Sequence, residues 1–182
     1  MEKRVLVLTG SPGVGKTTVL ARAVSALRGQ GVSVGGMFSR EVREGNSRVG
    51  FEIVDVASAK VGWLAHVNQQ GGPQVGKYHV NLGDLESVGV QAINTAVERS
   101  DVVVIDEIGP MELFSGKFKE AAKKALESSK LVIAVVHWKA QDKLVVDAKS
   151  RADAQVFTVT TQNRDTLHEA VGEKAVAFLK LN

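Results

Sequence analysis

The sequence predicts an α/β fold: an open, mostly parallel sheet with helices on both faces and an antiparallel hairpin region at about 33-80. Three observations carry this. Val5-Leu6-Val7-Leu8 is a continuous apolar run that ends in a glycine-rich turn, the pattern of a strand buried on both faces of a parallel sheet. A second such run, Val102-Val103-Val104-Ile105, ends in the acids Asp106 and Glu107. Elsewhere strands alternate with segments of helical period, the mark of βα units.

Taken in order, the first strand is followed by a helix from Lys16, whose Val19, Leu20, Ala23, Val24 and Leu27 share one face and whose stop is supplied by Gly29 and Gly31. Residues 33 to 80 carry many glycines and no helical period, and read as short antiparallel strands. The clearest pair is a hairpin turning near Glu44-Gly45-Asn46, with Val49, Phe51 and Ile53 alternating against Gly50, Glu52 and Val54. A helix starting near Asp84 has Leu85, Val88, Ala92, Ile93, Ala96 and Val97 as its buried stripe. The acid-tipped strand, a helix over 116 to 128, the strand LVIAVV, a helix around 143 to 152, the strand VFTV and a last helix bearing Leu167, Ala170, Val171, Phe178 and Leu179 complete the chain. In such sheets ligands bind outside the carboxyl ends of the strands.

At 182 residues, 44% hydrophobic and 24% charged, the chain matches a single domain, 1-182, with a core of its own. Its 23 Lys+Arg and 20 Asp+Glu are interleaved, and the densest lysine cluster, Lys117 to Lys130, is broken by Glu120 and Glu127 as on a solvated helix face. No basic patch points to nucleic acid. The absence of cysteine removes disulfides, thiolate metal sites and thiol nucleophiles. The charged start Glu2-Lys3-Arg4 with its four-residue apolar run is too short for a signal peptide, and no stretch approaches the roughly 20 apolar residues of a membrane span. The expected location is the cytoplasm.

Gly10-Ser11-Pro12-Gly13-Val14-Gly15-Lys16-Thr17 fits G-x-x-x-x-G-K-[ST] and lies between a buried strand and an amphipathic helix, where a phosphate cradle belongs. Glycines let successive backbone N–H groups turn inward, and the helix amino end adds its dipole. Lys16 is expected to bridge the β- and γ-phosphates and Thr17 to hold Mg²⁺, with Thr18 completing the nucleotide-binding stretch. The tip acid Asp106 would reach the metal through water, and Glu107 after it is placed to orient an in-line water as catalytic acid-base group, alongside Lys16.

With these motifs stand GSPGVGKTT, FSREVREGNSRVGFEIVDV, VGKYHVNLGDLE, DEIGPMELF and TQNRDTL, and through them nearly the whole chain resembles the P-loop nucleoside-triphosphatases of thermophilic bacteria and archaea and the animal cancer-related nucleoside-triphosphatase. The resemblance implies a RecA-like P-loop NTPase fold and hydrolysis of ATP, GTP and other triphosphates with little choice of base, diphosphates being accepted less well. Pro110 stands where a lysine or similar residue is usual, leaving Asp106 and Glu107 unaltered.

Secondary candidates follow from position. His137 ends LVIAVV beside the acid-tipped strand and could sense the γ-phosphate or the water. Asn163 and Arg164 follow the last strand, where a base would be contacted, although Asn163 also suits a helix N-cap. Arg40, Arg43, Arg48 and Arg151 are candidate charge-neutralising fingers, each also readable as a surface arginine. The histidines at 66, 79, 137 and 168 have no ligand spacing. Three rival functions share the cradle. A kinase would use an acceptor other than water, but 143 to 152 lacks an arginine-rich lid. A guanine-nucleotide switch would match Asp106-Glu107-Ile108-Gly109, but no N-K-x-D follows. A nucleic-acid-stimulated ATPase is a role that RecA-like folds often serve, but no basic patch supports it.

Overall fold

The computed structural model describes residues 2–181. The chain runs β1 (Val5–Thr9), α1 (Lys16–Gly29), β2 (Val34–Glu44), β3 (Ser47–Asp55), β4 (Val61–His66), β5 (Gln74–Val75) and β6 (Tyr78–Val80). A helical turn α2 (Leu82–Asp84) continues through a π-helical stretch, Leu85–Val90, into α3 (Gln91–Arg99). Next come β7 (Val102–Ile108), a 3-10 turn (Glu112–Phe114), α4 (Gly116–Glu127), β8 (Leu131–Val136), α5 (Lys143–Ser150), β9 (Ala154–Thr158) and α6 (Leu167–Leu179). The strands form one sheet in the order β5-β6-β4-β3-β2-β7-β8-β1-β9. Its β2-β7-β8-β1-β9 half is parallel and the remainder antiparallel.

The two-residue period of a strand divides the core. On β1, Val5 and Val7 join Ile93, Phe118 and Val145 on the face covered by α3, α4 and α5. Leu6 and Leu8 join Val19, Leu20, Val24 and Val171 on the face covered by α1 and α6. All four β1 residues have no exposed surface, which is why the run carries no alternation.

Two parts differ from the sequence expectation. The strands of 33 to 80 are not all short, and they are not all antiparallel. β2 has 11 residues. Its Val34 to Met37 pair in parallel with Val102 to Ile105 of β7, and from Met37 onward it pairs antiparallel with β3. The glycine-rich start concealed this, yet glycine is there for close approach: a Cβ on Gly35 would lie 2.6 Å from Ser100 Oγ and 2.8 Å from Ala96 Cβ. The second difference lies in the helix expected from Asp84, whose stripe crosses the π-helical stretch, so that Gly89 and Val90 are buried as well. The helix boundaries at 116 to 128 and 143 to 152 shorten to 127 and 150.

Because β2 switches partners at Met37, its second half and β3 rise past the carboxyl edge of the parallel strands. They form a wall beside the ends of β7, β8 and β1.

Candidate active site

The loop from Gly10 to Gly15 joins β1 directly to α1. Gly15 caps the helix at φ 115°, a left-handed conformation that suits glycine, and the first turn of α1 contains no acid and no side-chain cap. Its leading N–H groups are thus left for an anion. Lys16 lies back along the loop, its Nζ donating to the carbonyls of Gly10 and Ser11 at 2.9 Å each. The neighbouring Thr17 hydroxyl donates to Asp106 Oδ2 at 2.8 Å, linking α1 to β7.

Four apolar residues precede Asp106 on β7, which runs on through Glu107 to Ile108, and Asp106 is 2% exposed. Burial pushes its carboxyl up to about 7, with the Glu107 charge adding to the rise and the Thr17 hydrogen bond and Lys16 opposing it. Burial also raises Glu107, against the pull of Lys16. The peptide bond joining these two acids is cis. Glu107 folds over Gly109, where a Cβ would collide with its Oε1.

A third acid, Glu112, closes the group from the 3-10 turn. It is 2% exposed, and burial, then the charges of Glu107 and Asp106, hold it well above the usual carboxyl range although the backbone N–H groups of Glu112 and Glu107 hydrogen-bond to it. Sequence reading quoted Glu112 only within a motif. Its signal was an acid set in the apolar stretch Met111-Glu112-Leu113-Phe114.

His137 follows β8, its N–H donating to the Ile108 carbonyl at 3.0 Å. Its Nδ1 accepts from the backbone N–H groups of Ala140 at 3.0 Å and Lys139 at 3.3 Å, which leaves the ring proton on Nε2. Burial and the charges of Lys16 and Lys149 keep the imidazole below its ordinary value. Lys149 donates to the carbonyls of His137 and Trp138 at 2.6 and 3.2 Å, fastening this turn to α5.

Lys16, Thr17, Thr18, Asp106, Glu107 and His137 line one cavity of about 490 Å³, with Pro12, Gly13 and Gly15 in the same wall. The β2–β3 wall contributes Ser39, Arg40, Glu41, Arg48 and Phe51. Of the arginines considered as fingers, Arg40 and Arg48 therefore reach the cavity. Arg43 is held by Glu41 at the hairpin's exposed end, and Arg151 pairs with Asp153 beside β9, so neither belongs to the walls.

Asn163 and Arg164 are absent from the cavity walls. Asn163 closes the turn after β9: its Oδ1 accepts from Thr160 N at 2.8 Å and its Nδ2 donates to the Thr158 carbonyl at 2.9 Å. The N-cap position of α6 is Thr166, not Asn163. Arg164 lies against the loop, Nη1 donating to the Val14 carbonyl at 3.4 Å. Among the described residues, no group of three or more His, Asp or Glu could hold a metal ion by itself.

The NTPase family profile matches residues 5–172 of this chain. The chain belongs to the NTPase family. NTPase relatives include the nucleoside-triphosphatase THEP1 of Thermofilum pendens, 48% identical over 168 residues that cover 92% of each chain. The protein of the same name from Thermotoga maritima is 40% identical over 177 residues, 97% of this chain and 96% of the relative. Among solved structures, a human cancer-related nucleoside triphosphatase superimposes with a TM-score of 0.78 at 35% identity, covering 92% of this chain and 95% of that one. THEP1 from Aquifex aeolicus gives 0.80 at 28% identity, covering 92% and 96%. The P-loop NTPase fold expected from the sequence is thus the fold of this chain.

Proposed function

We propose that this chain hydrolyses nucleoside 5'-triphosphates to diphosphate and phosphate with Mg²⁺, with little regard to the base and with weaker action on diphosphates, as a soluble cytoplasmic enzyme. The observation that carries this reading is the convergence of Lys16, Thr17, Asp106 and Glu107 on one cavity at the amino end of α1. The names borne by the family's relatives agree with triphosphate hydrolysis.

The donor set fits Mg²⁺: a hydroxyl and a carboxylate 2.8 Å apart are hard oxygen ligands, and this ion completes its shell with water and substrate phosphate instead of a protein cage. Thr17 and Asp106 would hold it, Asp106 through water. When bound, the ion neutralises charge on the β- and γ-phosphates. The chain's residues supply the rest. Within the stretch Gly10 to Thr18, the N–H groups of Gly13, Gly15, Lys16, Thr17 and Thr18 seat the phosphates, and Lys16 exchanges the Gly10 and Ser11 carbonyls for phosphate oxygens. Glu107 orients a water toward the γ-phosphorus and takes its proton. Such a group contributes about 10²–10⁴-fold. The neutral His137, with its proton on Nε2, can donate to the γ-phosphate or the water.

Breadth toward the base is supported by the cavity walls, which omit Asn163 and Arg164, the two residues the sequence marked for a base contact. If the base is contacted at all, these two residues beside the loop would do it. The test is phosphate release from ATP, GTP, CTP and UTP, with Mg²⁺ and with EDTA. Release from all four within about a hundredfold, under 3 kcal/mol at 1.4 kcal/mol per decade, and none in EDTA, is expected. Metal-independent release would overturn the reading.

A further inference from the structure

The cavity is lined by the phosphate cradle and also by residues of β2 and β3, away from the phosphate loop in sequence and on other strands. We propose that its half beyond Glu107 is a subsite for a small hydroxylated acceptor with a planar body, a nucleoside being the class, to which the γ-phosphoryl group passes in competition with water. The proposal rests on the triphosphate-hydrolysing reading above, since both use the same cradle.

Position comes first. Along the carboxyl edge the order is β9, β1, β8, β7, β2, β3. Asn163 and Arg164 follow β9, the phosphate loop follows β1, and Glu107 is on β7. At about 4.8 Å per strand, β2 lies roughly 14 Å from β1, past Glu107 on the side away from Asn163 and Arg164. In-line transfer brings the nucleophile to the γ-phosphorus from opposite the leaving diphosphate. The space between Glu107 and the β2–β3 wall is therefore the nucleophile's compartment.

Volume and chemistry follow. A water takes about 30 Å³. The cavity measures about 490 Å³ over its cradle and β2–β3 portions together, with Asn163 and Arg164 outside its walls, within the roughly 300–1,000 Å³ of pockets that hold whole small ligands. Beyond the cradle the lining includes the apolar Phe51, Val75, Pro110 and Met111, with Ser39, Arg40, Glu41 and Arg48 as polar groups. Such a mixture suits a flat ring with polar edges better than a solvent channel.

Arg48 is pre-set for recognition. Its Nε donates to Tyr78 Oη at 2.8 Å, its Nη1 to Glu41 at 3.4 Å, and its guanidinium carbon stands 4.9 Å from the Phe51 ring centroid. Among the described residues no hydrogen bond uses Nη2, which leaves a fixed donor for a ring carbonyl or nitrogen. In the transfer, the acceptor's hydroxyl oxygen forms a bond to the γ-phosphorus while the bond from that phosphorus to the β–γ bridging oxygen breaks. The electron pair leaves with the nucleoside diphosphate, and the hydroxyl proton goes to Glu107.

The test incubates the full chain with Mg²⁺ and γ-labelled ATP, alone and with millimolar adenosine, guanosine, cytidine, uridine or thymidine. Label is followed into inorganic phosphate and into phosphorylated nucleoside. At least one nucleoside should take up label, and Phe51→Ala and Arg48→Lys should each lower the ratio of phosphorylated nucleoside to phosphate by tenfold or more. Because the ratio is internal to each sample, partial loss of folded protein does not move it. Label found only in phosphate, in every mixture, overturns the acceptor subsite and leaves hydrolysis standing. Label in nucleoside with none in phosphate when ATP is alone supports the subsite and overturns hydrolysis. No turnover in any mixture overturns both.

Discussion

The Thr17 hydroxyl donates to Asp106 Oδ2 across 2.8 Å, joining the first turn of α1 to the carboxyl half of β7. Two elements separated by 89 positions in sequence are thereby held in the register that a shared cation would need. Thr17→Ala and Asp106→Asn should each raise the Mg²⁺ concentration for half-maximal turnover by about 10–100-fold, the usual loss when a group supporting a metal is removed. Thr17→Ser keeps the hydroxyl and should stay near wild type. Magnesium titrations of the three variants check this, and an unchanged requirement in Thr17→Ala and Asp106→Asn would contradict it.

Among the described residues, Lys16 donates only to carbonyls of its own loop. Lys16→Ala should therefore leave the folding stability within about 0.5 kcal/mol, as for substitutions away from the core. Turnover should fall by at least about 10²-fold, the scale of losing one preorganised electrostatic group. Chemical denaturation and phosphate release on the same preparation separate the two effects, and full activity would contradict the cradle assignment.

Arg4 supports the sheet away from the site. It reaches Asp153 at 2.6 Å and the carbonyls of Lys130 and Leu126 from the start of β1. Burial alone would raise the Asp153 carboxyl, but hydrogen bonds from Arg151 and Arg4, with their charges, outweigh it and hold it below its ordinary value. A folded value below the unfolded one means stability that is present above about pH 4, the unfolded carboxyl value, and lost as pH falls through the lower folded value. The Asp153 side chain is 36% exposed, so screening keeps the effect of Asp153→Asn near 1 kcal/mol at pH 7. Denaturation curves of the two proteins should differ at pH 7 and converge near pH 2. A gap that stays constant with pH would contradict the argument.

Legibility in the sequence followed the range of the forces involved. The loop at Gly10 and the helix Lys16–Gly29 are local, and their spacing disclosed them, as four apolar residues disclosed the strand bearing Asp106. The partner switch of β2 was hidden because pairing of Val34 to Met37 with β7 spans the sequence between them, and because Gly35 and Gly36 look like a loop. Asn163 reads equally as cap or base contact, and only the bonds to Thr160 and Thr158 show that its side chain is occupied with the turn. Glu112 showed only as an acid within an apolar stretch, and its burial beside Asp106 and Glu107 depends on the 3-10 turn that carries it there. The far wall from Ser39 to Phe51 was legible as a hairpin, but not as part of a cavity with Lys16.

The central claim is that Glu107 acts on the attacking water and not on nucleotide affinity. Glu107→Gln keeps the shape over Gly109 and removes the charge. The decisive measurement is single-turnover hydrolysis of Mg-ATP by this variant, paired with equilibrium binding of Mg-ATP as the control. Affinity near wild type with hydrolysis slowed by about 10²–10⁴-fold is predicted, the signature of an interaction made only in the transition state. Hydrolysis within about threefold of wild type, far too fast for a lost catalytic base, would contradict the account and pass the role to His137 or to a phosphate oxygen of the substrate.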